Sequence, residues 1–387
     1  MRIGIEAFKL FRKHKHGMDI VALELIQQLQ RLDSYNEYFI FCFDDIDDTV
    51  INETTNFKII RIPKITTPIA EQFILPFLVQ KYKLNILHST NNTAPLISGC
   101  RQIITLHDII YLENSSKLKG GTLYQQIGNF YRRIVVPITI RKAERVITVS
   151  GSEQEKILNK IPQITGRVEV IHNSFGKHFT QKPNESTLGT CVRYKLPFEG
   201  FIFIHGNTDP KKNINNVLKS LYILKQQSKL KYKVVISDIP EWRILAKIKK
   251  FKLIDLEDDL IFTNYINNFV LPDIYNRAKV FLYPSIRESF GVPILEAMAC
   301  GTPVITSNCS AMPEIAGKAA ILVNPLNPQE IAEAIDNILS NESLQLELSR
   351  MGLLQIKKFN WKKSAELLLN VYQSSVQTSF SPSSIQY

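Results

Sequence analysis

Several features are missing from this chain, and each absence narrows what it can be. Its 387 residues contain no apolar run of the ~18–20 positions that a membrane-crossing helix needs. The opening stretch MRIGIEAFKLFRKHKHG has no uncharged apolar segment before a small-residue cleavage site, so no secretory leader is expected. Cysteine is scarce: Cys42, Cys100, Cys191, Cys300 and Cys309 are odd in number, scattered, and without metal-ligand spacing. That excludes a disulfide framework or a zinc module and makes a reducing, cytoplasmic setting the expectation. Acidic residues are the minority sign, 36 Asp and Glu against 47 Lys and Arg, for a net charge of +11. Such a surplus suits nucleic acid, an anionic membrane surface or an anionic substrate. No RNA- or DNA-binding signature accompanies it, so nucleic acid is not expected as a partner. A peripheral association with the inner face of a membrane fits better, and solubility alone would also account for the charge. The first strand–loop–helix lacks G-x-G-x-x-G, so a dinucleotide-binding reading fails.

What is present centres on Val280–Thr306, VFLYPSIRESFGVPILEAMACGTPVIT. Val280–Tyr283 reads as a buried strand, broken by Pro284 and Ser285. A helix is expected after Gly291, with Pro293 near its first position, where a missing N–H costs nothing. It ends at Gly301, and Pro303–Thr306 is the next strand. This βαβ unit implies a parallel sheet. Gly291 leaves the backbone open where the helix presents unpaired N–H groups, a place for phosphate. Glu288 sits in the loop at the carboxyl end of the strand, where open α/β sheets place ligands. Glu296 follows eight residues later, near enough for both carboxylates to share one crevice. Taken singly, a Glu early in a helix is also favoured by the helix dipole alone.

Glu288-x7-Glu296, inside RESFGVPILEAMACGTPVITSN, resembles the EX7E signature of retaining GT-B glycosyltransferases, specifically glycosyltransferase family 4. The resemblance is close over Phe201–Val323. Earlier in the chain it rests on His107-Asp108, within RQIITLHDIIYL, and on general layout. It implies an α/β, GT-B fold: two Rossmann-like domains facing across a crevice. By resemblance Glu288 contacts the donor sugar, Glu296 the ribose hydroxyls, and Ser289, Phe290, Gly291 and Val292 line the donor site. The loop Gly206-Asn207-Thr208-Asp209-Pro210-Lys211-Lys212-Asn213 resembles the family's G-x-x-x-P-[RK]-K-N motif. It makes Lys212 the candidate cation for a diphosphate, Lys211 its support and Asn213 a helix cap. Many relatives carry Arg where Asn207 stands. Tyr265 and Ile266 occupy the stretch beside which the family holds the nucleotide base, and core roles would explain both. His107 would face the donor sugar, where an imidazole can bond a hydroxyl and polarise developing charge. A strand-end His that caps its loop is the plainer alternative. Gly17 and Asp108 are acceptor-side candidates, Gly17 being what remains of the family's Gly-rich first loop. His14 and His16 lack any spacing that would make them metal ligands.

The layout expected is an N-terminal acceptor-side domain over 1–174, a polar linker over 175–199 and a nucleotide-sugar domain over 200–360. A C-terminal helix over 361–375 returns to the first domain, and a Ser-rich tail over 376–387 is expected to be disordered. Residues 117–145 interleave Lys117, Lys119, Arg132, Arg133, Arg141 and Lys142 with Leu118, Tyr124, Phe130, Tyr131 and Ile134. That pattern suits a helix lying on a membrane as well as one packed on the sheet.

The activity implied is retaining transfer of a hexose from a nucleotide-diphosphate sugar. No acidic D-x-D cluster in a metal-binding context appears, so no metal or other cofactor is expected and His107, Glu288 and Lys212 carry the chemistry. The motif set resembles that of bacterial O-antigen and capsule mannosyltransferases, which makes GDP-mannose the leading donor and a glycan or lipid-linked oligosaccharide the acceptor. A sugar-nucleotide epimerase and a catalytically silent glycan-binding subunit are the alternatives; a phosphorylase is not suggested by these motifs.

Overall fold

The computed structural model describes residues 1–13, 15, 17–47, 49–113 and 123–377. His14, His16, Lys117, Leu118, Lys119, the Tyr124 side chain and the tail beyond residue 377 lie outside the described residues. Two units emerge: Met1–Asn173 with the segment from Trp361 onward, and Ser174–Asn360.

The first unit is built on seven parallel strands: β1 (Arg2–Glu6), β2 (Glu37–Phe43), β3 (Phe57–Ile62), β4 (Ile86–Ser89), β5 (Arg101–Thr105), β6 (Arg145–Thr148) and β7 (Val168–Val170). Their order is β3-β2-β1-β4-β5-β6-β7, so the winding reverses between β1 and β4. Helices cover both faces, which is why the inner strands read as nearly continuous apolar runs such as Tyr38–Phe43. The helix Gly17–Leu32 lays Val21, Leu25, Ile26 and Leu29 on the sheet. The C-terminal helix Trp361–Gln377 packs Trp361, Ala365, Leu368 and Tyr372 into the same core, and the Tyr372 hydroxyl meets His88 Nδ1 at 2.7 Å.

Two further helices share an edge of this unit. Thr67–Lys81 is helical throughout, but Ala70–Ile74 widens into a π-helical turn. That turn puts Glu71 into the interior, where its carboxylate accepts from the Thr93 hydroxyl and from the Tyr131 hydroxyl at 2.6 Å. Tyr131 belongs to the helix Leu123–Lys142, which buries Val135, Val136, Thr139 and Ile140.

The second unit has six parallel strands: β8 (Phe201–His205), β9 (Val234–Ser237), β10 (Leu260–Asn264), β11 (Ala278–Tyr283), β12 (Val304–Ser307) and β13 (Ile321–Val323). The order is β10-β9-β8-β11-β12-β13, with the reversal between β8 and β11. The polar stretch Phe175–Glu199, expected as a linker, is instead packed into this unit and contains the helix Leu188–Tyr194. Its scattered apolar residues, Phe179, Cys191 and Leu196, are each buried. Lys182 Nζ bonds Asp273 at 2.6 Å, tying the stretch to the helix Leu271–Arg277.

Burial pushes the Glu71 carboxyl up to about 7, against the bonds from Thr93 and Tyr131 that favour its charged form. A carboxyl raised in this way binds its proton more tightly in the folded than in the unfolded state. Its stabilisation is therefore full below the unfolded value of 4.5 and lost as pH rises through about 7. Glu71→Gln should flatten the pH dependence of the melting temperature across this window, removing on the order of 2–3 kcal/mol of it. Melting curves of both proteins between these two pH values check this; an unchanged slope would place the titration elsewhere.

Candidate active site

In an open α/β sheet the strand reversal leaves a cleft at the carboxyl ends of the two flanking strands. In the second unit those strands are β8 and β11. The loop after β8 forms a short 3₁₀ turn, Pro210–Lys212, capped by the Asp209 carboxylate accepting from Lys211 N–H. Lys212 leaves this turn toward β11. Its Nζ donates to Glu288 Oε1 at 2.7 Å and to the Tyr283 hydroxyl at 2.8 Å, and it sits 4.7 Å from the centre of the Tyr283 ring. The Tyr283 hydroxyl also bonds the Glu288 carboxylate. Burial, then the negative Glu288 beside it, holds the Tyr283 phenol far above its ordinary range, so it stays a neutral O–H. Lys212 and Glu288 were each expected to meet the donor directly. They first meet each other, with side chains only 15% and 11% exposed.

The backbone around them is fastened at three points. Ile286 N–H donates to Lys211 O at 2.7 Å, joining the two loops. Ser310 Oγ accepts from Glu288 N–H and donates to Glu288 O at 2.6 Å. Asn213, expected as a helix cap, does not cap with its side chain. Its backbone is left-handed at φ 61°, and its amide nitrogen donates to the carbonyls of Pro284 at 2.9 Å and Pro325 at 2.6 Å. The two prolines lack N–H groups and their loops form no ladder, so a side-chain donor satisfies these buried carbonyls.

Gly291 opens the helix Val292–Ala299 with φ 102°, a conformation that L side chains rarely adopt, and a Cβ there would come within 3.2 Å of Ile294. Val292 begins the helix; Pro293 has no N–H and Ile294 N–H donates to Gly291 O at 3.0 Å, so Val292 supplies the helix-end N–H with no acceptor one turn back. Phe290 is buried with its ring edge-on to Phe359, and Ser289 precedes it in the same loop. Glu296 is half-buried, accepts from the Tyr275 hydroxyl at 3.4 Å, and is pushed by burial up to about 7. Each carboxylate of the E-x7-E pair thus has its own buried tyrosine, Tyr283 or Tyr275. Tyr283 was read only as the end of a buried strand, and Tyr275, in the preceding helix Leu271–Arg277, was not singled out. Gly206 follows β8 without a left-handed backbone, and Asn207 folds back to accept from Asp209 N–H. Ile266 is buried, whereas Tyr265 is 69% exposed, so a core role does not explain Tyr265.

The first unit gathers a different set at its own reversal. Glu6 ends β1 and accepts from Thr90 N–H, Phe8 N–H and the Asn91 amide; burial raises its carboxyl. His107 follows β5, buried, its N–H held by Asn92 Oδ1 at 2.7 Å. Its Nε2 lies 3.0 Å from the Thr90 carbonyl, which can only accept, so Nε2 carries the proton and Nδ1 is the bare acceptor. Burial lowers its basicity and keeps the ring neutral. Asp108 turns to accept from Ile110 N–H at 3.3 Å. Gly17 opens the helix Gly17–Leu32, with Arg12 paired to Asp19 in its first turn.

Two α/β units, each with its strand reversal beside the candidate residues, define a GT-B type architecture. The second half of the chain, residues 197–355, matches the family described as Glycosyl transferases group 1, and residues 16–175 match Glycosyltransferase Family 4. The chain belongs to this glycosyltransferase family. Among curated proteins it is similar to the O-antigen chain mannosyltransferase B of Escherichia coli, 26% identical over 61% of this chain and 62% of that protein. It is also similar to the serotype-specific mannosyltransferase WbdA of Escherichia coli, 26% identical over 88% of this chain and 42% of that protein. The chain therefore spans less than two-thirds of the length of these relatives. In fold it is similar to sucrose-phosphate synthase from Thermosynechococcus elongatus, with a TM-score of 0.73, 19% identity, and 98% and 100% of the two chains covered.

Asn213 gives the site a stability test. Asn213→Ala should cost on the order of 2–4 kcal/mol, from two lost bonds to buried carbonyls and a left-handed backbone. Asn213→Gly should cost about 1 kcal/mol less, because only the bonds are lost. Denaturant melts of the two variants compare them directly, and equal losses would show that backbone strain is not part of Asn213's role.

Proposed function

We propose that the chain is a retaining hexosyltransferase that moves mannose from GDP-mannose to a glycan or lipid-linked oligosaccharide during surface-polysaccharide synthesis. The observation that carries the reading is Lys212, held by Glu288 and Tyr283 at the strand reversal of the second sheet. The family's pattern and the two mannosyltransferase relatives support the sugar; the donor base and the acceptor are assigned by that likeness alone.

In this reading the diphosphate takes over Lys212 from Glu288. The lysine's point charge and the backbone N–H groups of Gly291 and Val292 at the helix start then share the charge that builds up on the leaving group. Glu288, released from the ion pair, accepts from sugar hydroxyls. Tyr283 keeps both side chains in place while partners are exchanged. Glu296 accepts from the ribose hydroxyls. His107 contributes a neutral ring whose Nδ1 accepts from a sugar hydroxyl. The acceptor oxygen forms its bond to the anomeric carbon as the bond to the diphosphate breaks, on the same face of the sugar, and the proton it loses leaves toward the departing phosphate. Lys211, Asn207 and Tyr265 are the remaining donor-side residues, with Tyr265 offering an exposed ring for the base. Among the described residues no helix is long and apolar enough to cross a membrane, so a lipid-linked acceptor would be met at the bilayer surface.

Thermal-shift titrations with GDP, UDP, ADP and dTDP test the donor site on the wild type, Lys212→Ala and Tyr283→Phe. GDP should raise the wild-type melting temperature with concentration, Lys212→Ala should abolish the shift, and Tyr283→Phe should weaken affinity by about five- to thirtyfold. A shift confined to another nucleotide would replace the guanine assignment. An undiminished shift in Lys212→Ala would remove the lysine from the phosphate site.

A further inference from the structure

The helix Leu123–Lys142 is apolar on two sides. One side is the buried face described above. The other carries Ile127, Phe130, Ile134 and Ile138, spaced by three and four places and exposed by 61%, 66%, 48% and 38%. At helical spacing these four form a continuous outward stripe, well away from the sheet. Arg133, Arg141 and Lys142 are exposed on the same helix, and the helix contains no acidic residue at all.

The neighbouring helix repeats the arrangement. Ile69, Phe73 and Phe77 recur every four residues and are 51%, 73% and 62% exposed. Its one acidic residue, Glu71, is turned inward onto Tyr131. The Gln72 amide, at 2.7 Å from the Tyr131 hydroxyl, completes the junction that holds the two helices side by side. Lys81 is exposed at the end of this second helix, and Lys64, exposed three residues before its start, is paired with Asp45 at 2.8 Å. Burying large apolar side chains is the usual outcome of folding, so seven exposed on two joined helices mark an interaction surface.

We propose that this two-helix face docks on an anionic lipid bilayer, with the phenylalanine and isoleucine side chains entering the headgroup layer and the arginines and lysines meeting lipid phosphates. The charge selects this occupant over a second copy of the chain. A two-fold contact would set the same arginines and lysines against each other, with no outward carboxylate on either helix to offset them. An anionic bilayer complements both the apolar stripe and its basic border. The proposal rests on the lipid-linked acceptor only for its purpose; the surface itself is independent of the donor site.

The full chain is sedimented with vesicles of phosphatidylcholine alone and of phosphatidylcholine with phosphatidylglycerol. Wild type should pellet with the anionic vesicles and be released as salt is raised. Phe73→Ser with Phe130→Ser should weaken this by about tenfold or more, and Arg133→Glu with Arg141→Glu should do the same without touching apolar surface. Circular dichroism and the GDP-induced melting shift should stay as in wild type for both variants, which separates this face from the donor site. If the phenylalanine variant misfolds, the arginine variant decides. Failure of the wild type to pellet, or equal pelleting with neutral vesicles, would overturn the proposal. So would a wild-type dimer in size-exclusion chromatography that either variant converts to monomer.

Discussion

The second unit is organised around one partly buried ion pair, Lys212 with Glu288. Neither charge could be held there alone: an unpaired lysine or carboxylate with so little solvent access would pay much of its lost hydration without return. The Tyr283 hydroxyl makes the pair tenable by bonding both partners, and the loops that carry them are locked from behind by Ser310, Asn213 and the Lys211–Ile286 link. A site that reads a phosphate needs a cation that is present but not irrevocably committed. In the proposed reading the Lys212–Glu288 pair supplies such a cation, with the diphosphate taking the place of the single carboxylate while the Tyr283 hydroxyl keeps the geometry.

The two strand reversals differ in charge. Around β8 and β11 Lys212 and Glu288 form an ion pair, while burial raises the Glu296 carboxyl to about 7. Around β1 and β4 the equivalents are neutralised: Glu6 is shifted toward its protonated form, His107 is kept neutral, and His88 is lowered to about 3. Buried neutral donors and acceptors suit hydroxyl groups, whose binding brings no net charge to compensate. In the proposed reading the first arrangement serves the diphosphate and the second the sugar hydroxyls. That division follows from desolvation, which outweighs the opposite charges near these groups, Lys9 for Glu6 and Asp108 and Asp19 for His107.

Much of the second unit was legible because strand-ending residues advertise themselves. Pro284 and Ser285 after an apolar run, and Gly291 with Pro293 at a helix start, force the chain into one local path, so Glu288 and Lys212 fall where the pattern puts them. The pairing between them was not legible, since no spacing rule relates positions separated by a whole crossover. Asn213 shows the same limit. Its place before a helix favours capping, but two proline carbonyls from distant loops compete for its amide and win. The stretch 175–199 misled through composition: Gly, Pro and Asn suggest a connector, while Phe179, Cys191 and Leu196 supply just enough apolar surface to seat it on the second unit.

The helix Leu123–Lys142 carries the argument a step further. Periodicity analysis assumes that apolar residues point inward, so a helix with two apolar sides shows weak contrast and reads equally well as packed or as membrane-facing. Only the positions that actually reach the sheet separate the two. Val135, Val136, Thr139 and Ile140 settle which side is inward, and what remains outward is then a choice rather than a packing residue. A sequence that needed only solubility there would place Lys, Glu or Gln at 127, 130, 134 and 138, and the π-helical turn at Ala70–Ile74 would have no acid to hide. Instead that turn, at some cost in regular hydrogen bonding, takes Glu71 off the surface and spends it on Tyr131. The outward face of both helices is left with no carboxylate, and with large apolar side chains beside basic ones.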